Sequence, residues 1–428
     1  MVASNTGAYT VANGFRRIDY LKITIYGFAL TALWSSLHTI ILQVRLLDFV
    51  AEAQVNTYLG ILAGSGLLLA MVVQPIVGMI SDRSGFGWGR RRPYILLGTI
   101  LVLLCLPGIG FYSGYVAIFI IIYALLQVGS NIAQGPYQAF IPDLVPEGKR
   151  GVASGVKSLL EIVGGIALLR LVGPLMDHYY VAGGGFWLWL ALGTLAIILL
   201  GAMIVTVLTV KERSGSGGVQ LPLLSTPFRS FKIDIKAHPD FIWFLVSRLL
   251  ILMAFVTIQR FAFLFLRFFV DIANPAAETA NFITVVGIAM IVVVYPAGRL
   301  SDKVGRRPII AASGLLGALG IALIYLFSSR YGLLMFGGGL LGIAGGAFMS
   351  SNWALAVDLI RKGEEARYLG LTNLATAGGS ALSLFVIGPM IDFFNGYSPG
   401  LGYEVMLLAC FIYFLAGSVL LLKIKRRH

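Results

Sequence analysis

The sequence predicts an all-α membrane protein of twelve transmembrane helices in two pseudo-symmetric six-helix halves. Three observations carry this reading. Of 428 residues, 58% are hydrophobic and only 12% are charged, against about 25% charged in soluble domains. The chain divides into twelve apolar runs, each near the ~20 residues that cross a hydrocarbon core. Markers in the first half also recur in the second at a fixed separation. Length alone would suggest roughly three soluble domains, but so apolar a chain has too little polar surface to cover three cores. A soluble enzyme, a disordered protein and a nucleic-acid binder are disfavoured together.

In chain order the runs cover 20–43, 57–80, 94–112, 115–140, 152–174 and 186–209, then 241–265, 281–299, 309–328, 332–356, 368–390 and 403–422. The first is too long, and too far behind a polar tail, to be a secretory h-region, so no cleaved signal is expected. The second and third flank a short basic loop, Ser81 to Pro93, and the eighth and ninth flank its counterpart, Ser301 to Pro308. Between the sixth and seventh lies the longest polar connection, which opens as a Gly/Ser linker. Within it Phe228, Phe231 and Ile235 are spaced to put a short apolar stripe on the membrane surface. This divides the chain into an N-terminal half, 1–210, a cytoplasmic linker, 211–240, and a C-terminal half, 241–428.

Charge gives the orientation. The tails and the loops after even-numbered runs carry 26 of the 32 Lys and Arg; the opposite side carries three, Arg45, Arg267 and Arg330. The positive-inside rule then puts both termini in the cytoplasm of an integral multi-pass protein of the cell membrane. The net charge of +13 is therefore topological and implies no nucleic acid. Cys105 and Cys410 each sit within an apolar run. Neither a disulfide framework nor metal-ligand spacing follows from them, and no metal or cofactor is expected.

The halves match. Arg91-Arg92-Pro93 recurs as Arg306-Arg307-Pro308, Asp143 as Asp358, Gly155 as Gly370, and VGPLMD ending at Asp177 as IGPMID ending at Asp392, each pair 215 residues apart. Asp82 and Asp302 are 220 apart because the first copy carries five extra residues before Pro93. Repeated six-helix halves imply a pseudo-two-fold along the membrane normal and a central cavity between them.

The repeated loop reads GMISDR from Gly78 with GRRRP ending at Pro93, and GRLSDKVGRRP from Gly298 to Pro308. Glycine permits a tight turn, the Asp at a helix end can pair with nearby Arg, and the Arg cluster suits an anionic inner leaflet. Twice at the same place, this resembles the signature loop of the major facilitator superfamily, over essentially the whole chain. The resemblance implies that the loop helps hold one access state closed. By motif position that role falls on Gly78, Asp82, Arg83, Arg91 and Arg92, and on Gly298, Asp302, Arg306 and Arg307.

A closer resemblance runs from Asn131 through Gln134, Gln138 and Asp143 in the fourth run. This stretch, with SDRS…GRRRPYI, is similar to plant sucrose–proton symporters and their animal and bacterial relatives in the glycoside–pentoside–hexuronide branch. It implies cation-coupled symport of a sugar. One position departs: the plant pattern has Arg where this chain has Gln138, which points away from sucrose itself and toward a sugar-like polyol.

Polar groups inside the runs are the candidate substrate residues, because lipid exposure of a polar stripe is costly. At about 100° per residue, Tyr123, Gln127, Asn131, Gln134 and Gln138 share one side of the fourth run. They line a cavity for a hydroxyl-rich solute or form an interhelical seam. Thr24, Thr31, Ser35, His38 and Arg45 make a second stripe on the first run, with Trp34 nearby. His38 is a functional group or a packing residue. Trp353, repeat mate of Gln138, stacks on a sugar ring or fills the core. Gln259 and Arg260 lie deep in the seventh run, whereas Arg170 and Arg248 lie nearer run ends and read as snorkelling side chains.

Glu161 is the one Glu deep in a run, and its repeat mate Thr376 belongs to the stripe Thr372, Thr376, Ser380 and Ser383. By symmetry Glu161 faces inward, with Lys157 one turn away as a partner. A static pair is structural; one that opens makes Glu161 the proton carrier, with His38 and Asp143 as alternatives. Enzyme-like patterns fail: GVASGVKS at Gly151 lacks phosphate-loop spacing, and GFGWG at Gly85 follows no strand. With no nucleotide-binding motif, ATP-driven pumping by this chain alone is disfavoured. The sequence reads as a non-enzymatic alternating-access secondary transporter. Its expected partners are a sugar or polyol, a proton or other monovalent cation, and lipid. Two rival readings are a proton-antiport exporter of drugs or metabolites, and a non-transporting pigment-delivery or assembly factor.

Overall fold

Each expected run overlaps one long apolar helix of the computed structural model, which describes residues 15–111, 114–212, 239–359 and 365–424. Six helices form the N-terminal half: α1 (Arg17–Leu47), α2 (Glu52–Asp82), α3 (Arg92–Gly110), α4 (Val116–Leu144), α5 (Glu147–Val181) and α6 (Gly185–Thr209). Six more form the C-terminal half: α7 (Pro239–Phe268), α8 (Pro275–Val304), α9 (Arg306–Leu326), α10 (Tyr331–Ala356), α11 (Leu371–Asn395) and α12 (Leu401–Leu421). The linker stripe at Phe228, Phe231 and Ile235 lies outside the described residues.

The repeat is visible in the packing. Helix α1 packs on α5 and α6 as α7 packs on α11 and α12; α4 packs on α2 and α3 as α10 packs on α8 and α9. Between the halves, α2 lies along α11 and α5 along α8. Glycines allow the closest of these approaches. A side chain at Gly60 would meet the Leu384 carbonyl and come within 3.3 Å of Gly388 Cα; one at Gly388 would meet the backbone of Asn56.

Hydrogen bonds that join the halves gather on the face opposite the Asp–Arg loops. Asp177 accepts from the backbone N–H of Ala276 (2.9 Å) and Ala277 (2.7 Å), in the first turn of α8. Its repeat mate Asp392 accepts from the Thr57 N–H (2.6 Å) and Asn56 Nδ2 (2.8 Å), in the first turn of the α-helical part of α2. Tyr403 adds a bond to Asn56 Oδ1 at 3.3 Å, and Arg267 one to the Tyr180 hydroxyl at 3.2 Å. This face is closed.

On the loop face the following bonds among the described residues lie within each half. Arg91, only 4% exposed, donates to Asp143 (3.0 Å), the Ser81 hydroxyl (2.5 Å) and Asp82. Arg90 also reaches Asp143, at 2.7 Å. Glu212 caps the start of α3, accepting from the Arg91 N–H (2.8 Å) and Arg92 N–H (3.0 Å). In the second copy Arg306 pairs with Asp358 at 2.6 Å, and Arg307 donates to the Ile424 carbonyl at 2.8 Å. Arg91–Asp143 and Arg306–Asp358 are thus the same pair, repeated.

Three expectations about this loop change. Gly78 and Gly298 lie within α2 and α8, not in turns; each carbonyl accepts from a Ser hydroxyl at 2.9 Å, Ser81 and Ser301. The turn glycines are Gly89 and Gly305, whose φ of +129° and +103° a side chain would strain. Arg91 and Arg92 do not reach for lipid headgroups, because carboxylates and the Val207 carbonyl already hold them. Finally, Arg306 meets Asp358 rather than Asp302, which stays exposed.

Candidate functional site

Helix α1 is not regular. After Ser36 it makes a π turn over Leu37–Ile41, then resumes as α-helix from Leu42 to Leu47. Single π turns insert one extra residue and often sit at functional sites. Here the turn contains His38 and brings Gln43 over the carbonyls it loosens. Gln43, fully buried, donates from Nε2 to His38 O (3.2 Å) and Thr39 O (2.8 Å), and across the half boundary to Arg260 O (2.8 Å). One amide thereby joins α1 to α7 beneath the closed face.

Around His38 the first-run and fourth-run stripes meet. The imidazole Nε2 lies 3.0 Å from the Tyr123 hydroxyl and 3.3 Å from Gln127 Nε2, and Gln127 donates to Tyr123 at 2.7 Å. Trp34 stacks on His38 with centroids 4.6 Å apart and donates to the Ser130 hydroxyl at 2.6 Å. Asn131 donates back to the Gln127 carbonyl at 2.7 Å. The stripe on α4 therefore divides. Tyr123, Gln127 and Asn131 are buried and bonded, a seam against α1, whereas Gln134 is half-buried and Gln138 exposed toward the loop end.

From the other half, α7 packs on the π turn of α1, where the Arg260 carbonyl accepts from Gln43. Gln259 beside it is exposed, as is Trp353 on α10. An apolar crevice lined by Phe265, Phe282, Leu334 and Met406 lies within the C-terminal half and contains none of these polar groups.

A second cluster lies nearer the loop face. Lys157 Nζ is 3.8 Å from Glu161 Oε1, the i,i+4 pair expected from the sequence, and sits 5.0 Å from the centre of the Tyr137 ring. Tyr137 donates to the Thr24 carbonyl at 3.2 Å. Gly27 leaves the space that the Tyr137 hydroxyl and Glu161 carboxylate occupy against α1. The repeat mates of Tyr137 and Glu161 are Asn352 and Thr376, and both bind Arg248, Thr376 from its Nε at 3.0 Å. Arg248 is therefore no snorkelling residue: its guanidinium is held inside the half by neutral partners.

Two other residues separate from the site. Arg45, 2% exposed, holds the end of α3 through the Ile109 carbonyl (2.9 Å) and also binds Asp48 and the Tyr179 hydroxyl. It staples the half. Asp143 belongs to the loop network with Arg90 and Arg91, apart from Glu161 and His38.

The comparisons agree with this architecture. The family described as MFS/sugar transport protein matches residues 25–424. Sucrose transport protein SUT1 of Oryza sativa subsp. japonica is 35% identical over 112 residues, 21% of this chain and 21% of that protein. Sucrose transport protein SUC3 of Arabidopsis thaliana is 33% identical over 122 residues, 24% of this chain and 20% of its own length. The chain thus aligns with about a fifth of each. In fold, it matches a D-xylose–proton symporter at TM-score 0.72 and 16% identity, covering 96% of this chain and 98% of that one. The nucleoside transporter NupG matches at TM-score 0.73 and 14% identity, covering 95% of this chain and 99% of that one. The chain belongs to the MFS/sugar transport protein family and is an integral multi-pass membrane protein of the major facilitator superfamily.

Proposed function

We propose that the chain is an alternating-access symporter that couples a sugar or similar polyol to a proton or other monovalent cation. It works in the cell membrane with both termini cytoplasmic. The observation that carries this reading is the cluster of Trp34, His38, Tyr123 and Gln127 beside Gln43, whose amide reaches across to the opposite half. Its amide, phenol and imidazole offer donors and acceptors beside an indole face, a combination suited to a hydroxylated ring.

Glu161 is the coupling group in this reading. Among the described residues its carboxylate pairs with one cation, Lys157, at the loose distance of 3.8 Å, and its side chain is 30% exposed. A carboxylate so placed can exchange its partner for a proton when its surroundings change. The names of the rice and Arabidopsis relatives, and of the xylose–proton symporter, support the substrate class and the mode.

The test is uptake into proteoliposomes across a panel of pentoses, hexoses, disaccharides and polyols, with and without an inward proton gradient. Accumulation of at least one of them that collapses with a protonophore is the expected result. Efflux driven by an opposed gradient would favour the antiport exporter instead, and no flux of any panel member would overturn the reading.

A further inference from the structure

Resting on the reading of Glu161 as the coupling group, we propose that Tyr137 is a positioning residue for proton exchange. Its ring gives the Lys157 ammonium a second place to rest when Glu161 takes up a proton, so the pair can part without stranding a charge.

The geometry comes first. Lys157 Nζ lies 3.8 Å from Glu161 Oε1 and 5.0 Å from the centre of the Tyr137 ring. The first distance is beyond hydrogen-bond length. The second falls inside the limit of about 6 Å within which a ring face attracts a cation. One ammonium thus sits between a carboxylate and an aromatic face. The ring is fixed: Tyr137 is 3% exposed, and its hydroxyl donates to the Thr24 carbonyl at 3.2 Å. Tyr26 and Phe140 pack edge-on against it, with centroids 5.2 and 6.0 Å away. Glu161 and Lys157 are looser, with side chains 30% and 20% exposed.

The energetics follow from the charge on Glu161. While it is ionised, Lys157 has a counterion and the ring adds little. Once it is neutral, a half-buried ammonium has lost that counterion, which is costly. The ring face then remains, so it stabilises the protonated pair more than the ionised one. Other charged or titratable groups on the neighbouring helices are engaged elsewhere. On α1, Lys22 pairs with Asp19 at 3.0 Å, the Tyr26 hydroxyl bonds Thr99 at 2.7 Å, and His38 bonds Tyr123 of α4. On α4, Asp143 is held by Arg90 and Arg91. On α8, Tyr295 and Arg299 stack on each other at 4.8 Å and are exposed, and Glu278 lies at the opposite end of the helix. Helix α6 carries no such group.

The repeat supplies a second, independent argument. The positions that match Tyr137, Lys157 and Glu161 in the other half are Asn352, Thr372 and Thr376. Ring, cation and acid occur together in one half and are replaced together in the other.

The test reads Glu161 directly. Infrared titration of the intact protein in lipid vesicles follows the protonated carboxyl band that Glu161→Gln removes. In Tyr137→Leu the midpoint of that band should move to lower pH by about half a unit or more. Tyr137→Phe keeps the ring face and should hold the wild-type midpoint. Tyr137→Phe with a pentafluorinated ring keeps the shape but reverses the face, so it should shift as Leu does even if the Leu variant folds poorly. In a Lys157→Met background neither change should move the midpoint. Equal midpoints for the wild type, the Leu variant and the fluorinated ring overturn the proposal. So does a Phe variant that shifts like Leu, or an undiminished shift with Lys157→Met. Uptake of the sugar panel is read separately. A midpoint that moves as expected without any proton-driven uptake removes the coupling role of Glu161. Proton-driven uptake with an unmoved midpoint removes the role of Tyr137 alone.

Discussion

Asp177 and Asp392, repeat mates in opposite halves, each hold the first turn of a helix that belongs to the other half. The first N–H groups of a helix have no partner within it and carry a partial positive charge. Each carboxylate satisfies two donors at once, so the two contacts close one face of the molecule from both sides of the pseudo-two-fold axis.

Asp177→Asn and Asp392→Asn should therefore loosen that face. Each charge at a helix start contributes about 0.3–1 kcal/mol, up to ~2 in partly buried geometry. The double variant should shift the balance of access states by roughly tenfold. The measurement is labelling of Gln127→Cys by a membrane-impermeant thiol reagent added to the face opposite the loops, in a Cys105→Ala, Cys410→Ala background. Labelling no faster than in the parent would remove the gate role from both residues.

Arg91→Gln should be more destabilising than Arg306→Gln. Arg91 is 4% exposed and serves Asp143, Asp82 and Ser81, so its loss leaves Asp82 without its cation and Asp143 with Arg90 alone. A buried pair broken on one side costs about 3–5 kcal/mol; exposure of Asp82 brings the expectation to about 2–4. Arg306 is 28% exposed with one carboxylate partner, for which about 1 kcal/mol or less is expected. Melting temperatures in detergent give the order, and equal losses would contradict it.

Glu161→Gln should abolish accumulation against a gradient while retaining substrate exchange, since Gln keeps the shape but cannot carry a proton. If the pair with Lys157 is only structural, Lys157→Met with Glu161→Gln should regain proton-driven uptake. That recovery would end the coupling role of Glu161 and move attention to His38.

Tyr123→Phe removes one hydroxyl that bonds both His38 and Gln127. Losing a buried hydrogen-bond partner costs about 1–3 kcal/mol. The melting temperature should fall, and substrate affinity should fall with it, because His38 and Gln127 lose the bond that orients them. Unaltered affinity would show that the α1–α4 seam lies outside the substrate's reach.

Much of this was legible in the residues. Runs of about 20 apolar residues have one physical solution in lipid, and the 215-residue spacing located the repeat before any helix was placed. The Lys157–Glu161 pair follows from i,i+4 geometry alone. Gln43 did not follow, because it stands five residues after His38, off any regular helical stripe. The π turn that brings it back over His38 has no sequence signal of its own. The partners of Arg248, Asn352 and Thr376, are on two other helices, and no spacing along one helix reveals them. Asp177 and Asp392 were visible only as repeat markers, since their role depends on where the opposite half begins its helices.

Gly60 and Gly388 place backbone directly against backbone where α2 crosses α11. No side chain mediates that contact, so the closed face has no cushion there to absorb added bulk. A tryptophan at position 60 would act as a doorstop, allowing the two helices to part but not to meet again. The same glycine that lets this face shut is thus a handle for trapping the opposite access state. A protein frozen by Gly60→Trp should bind substrate from the far side, fail to turn over, and show the Gln127→Cys site open to reagent from that side alone.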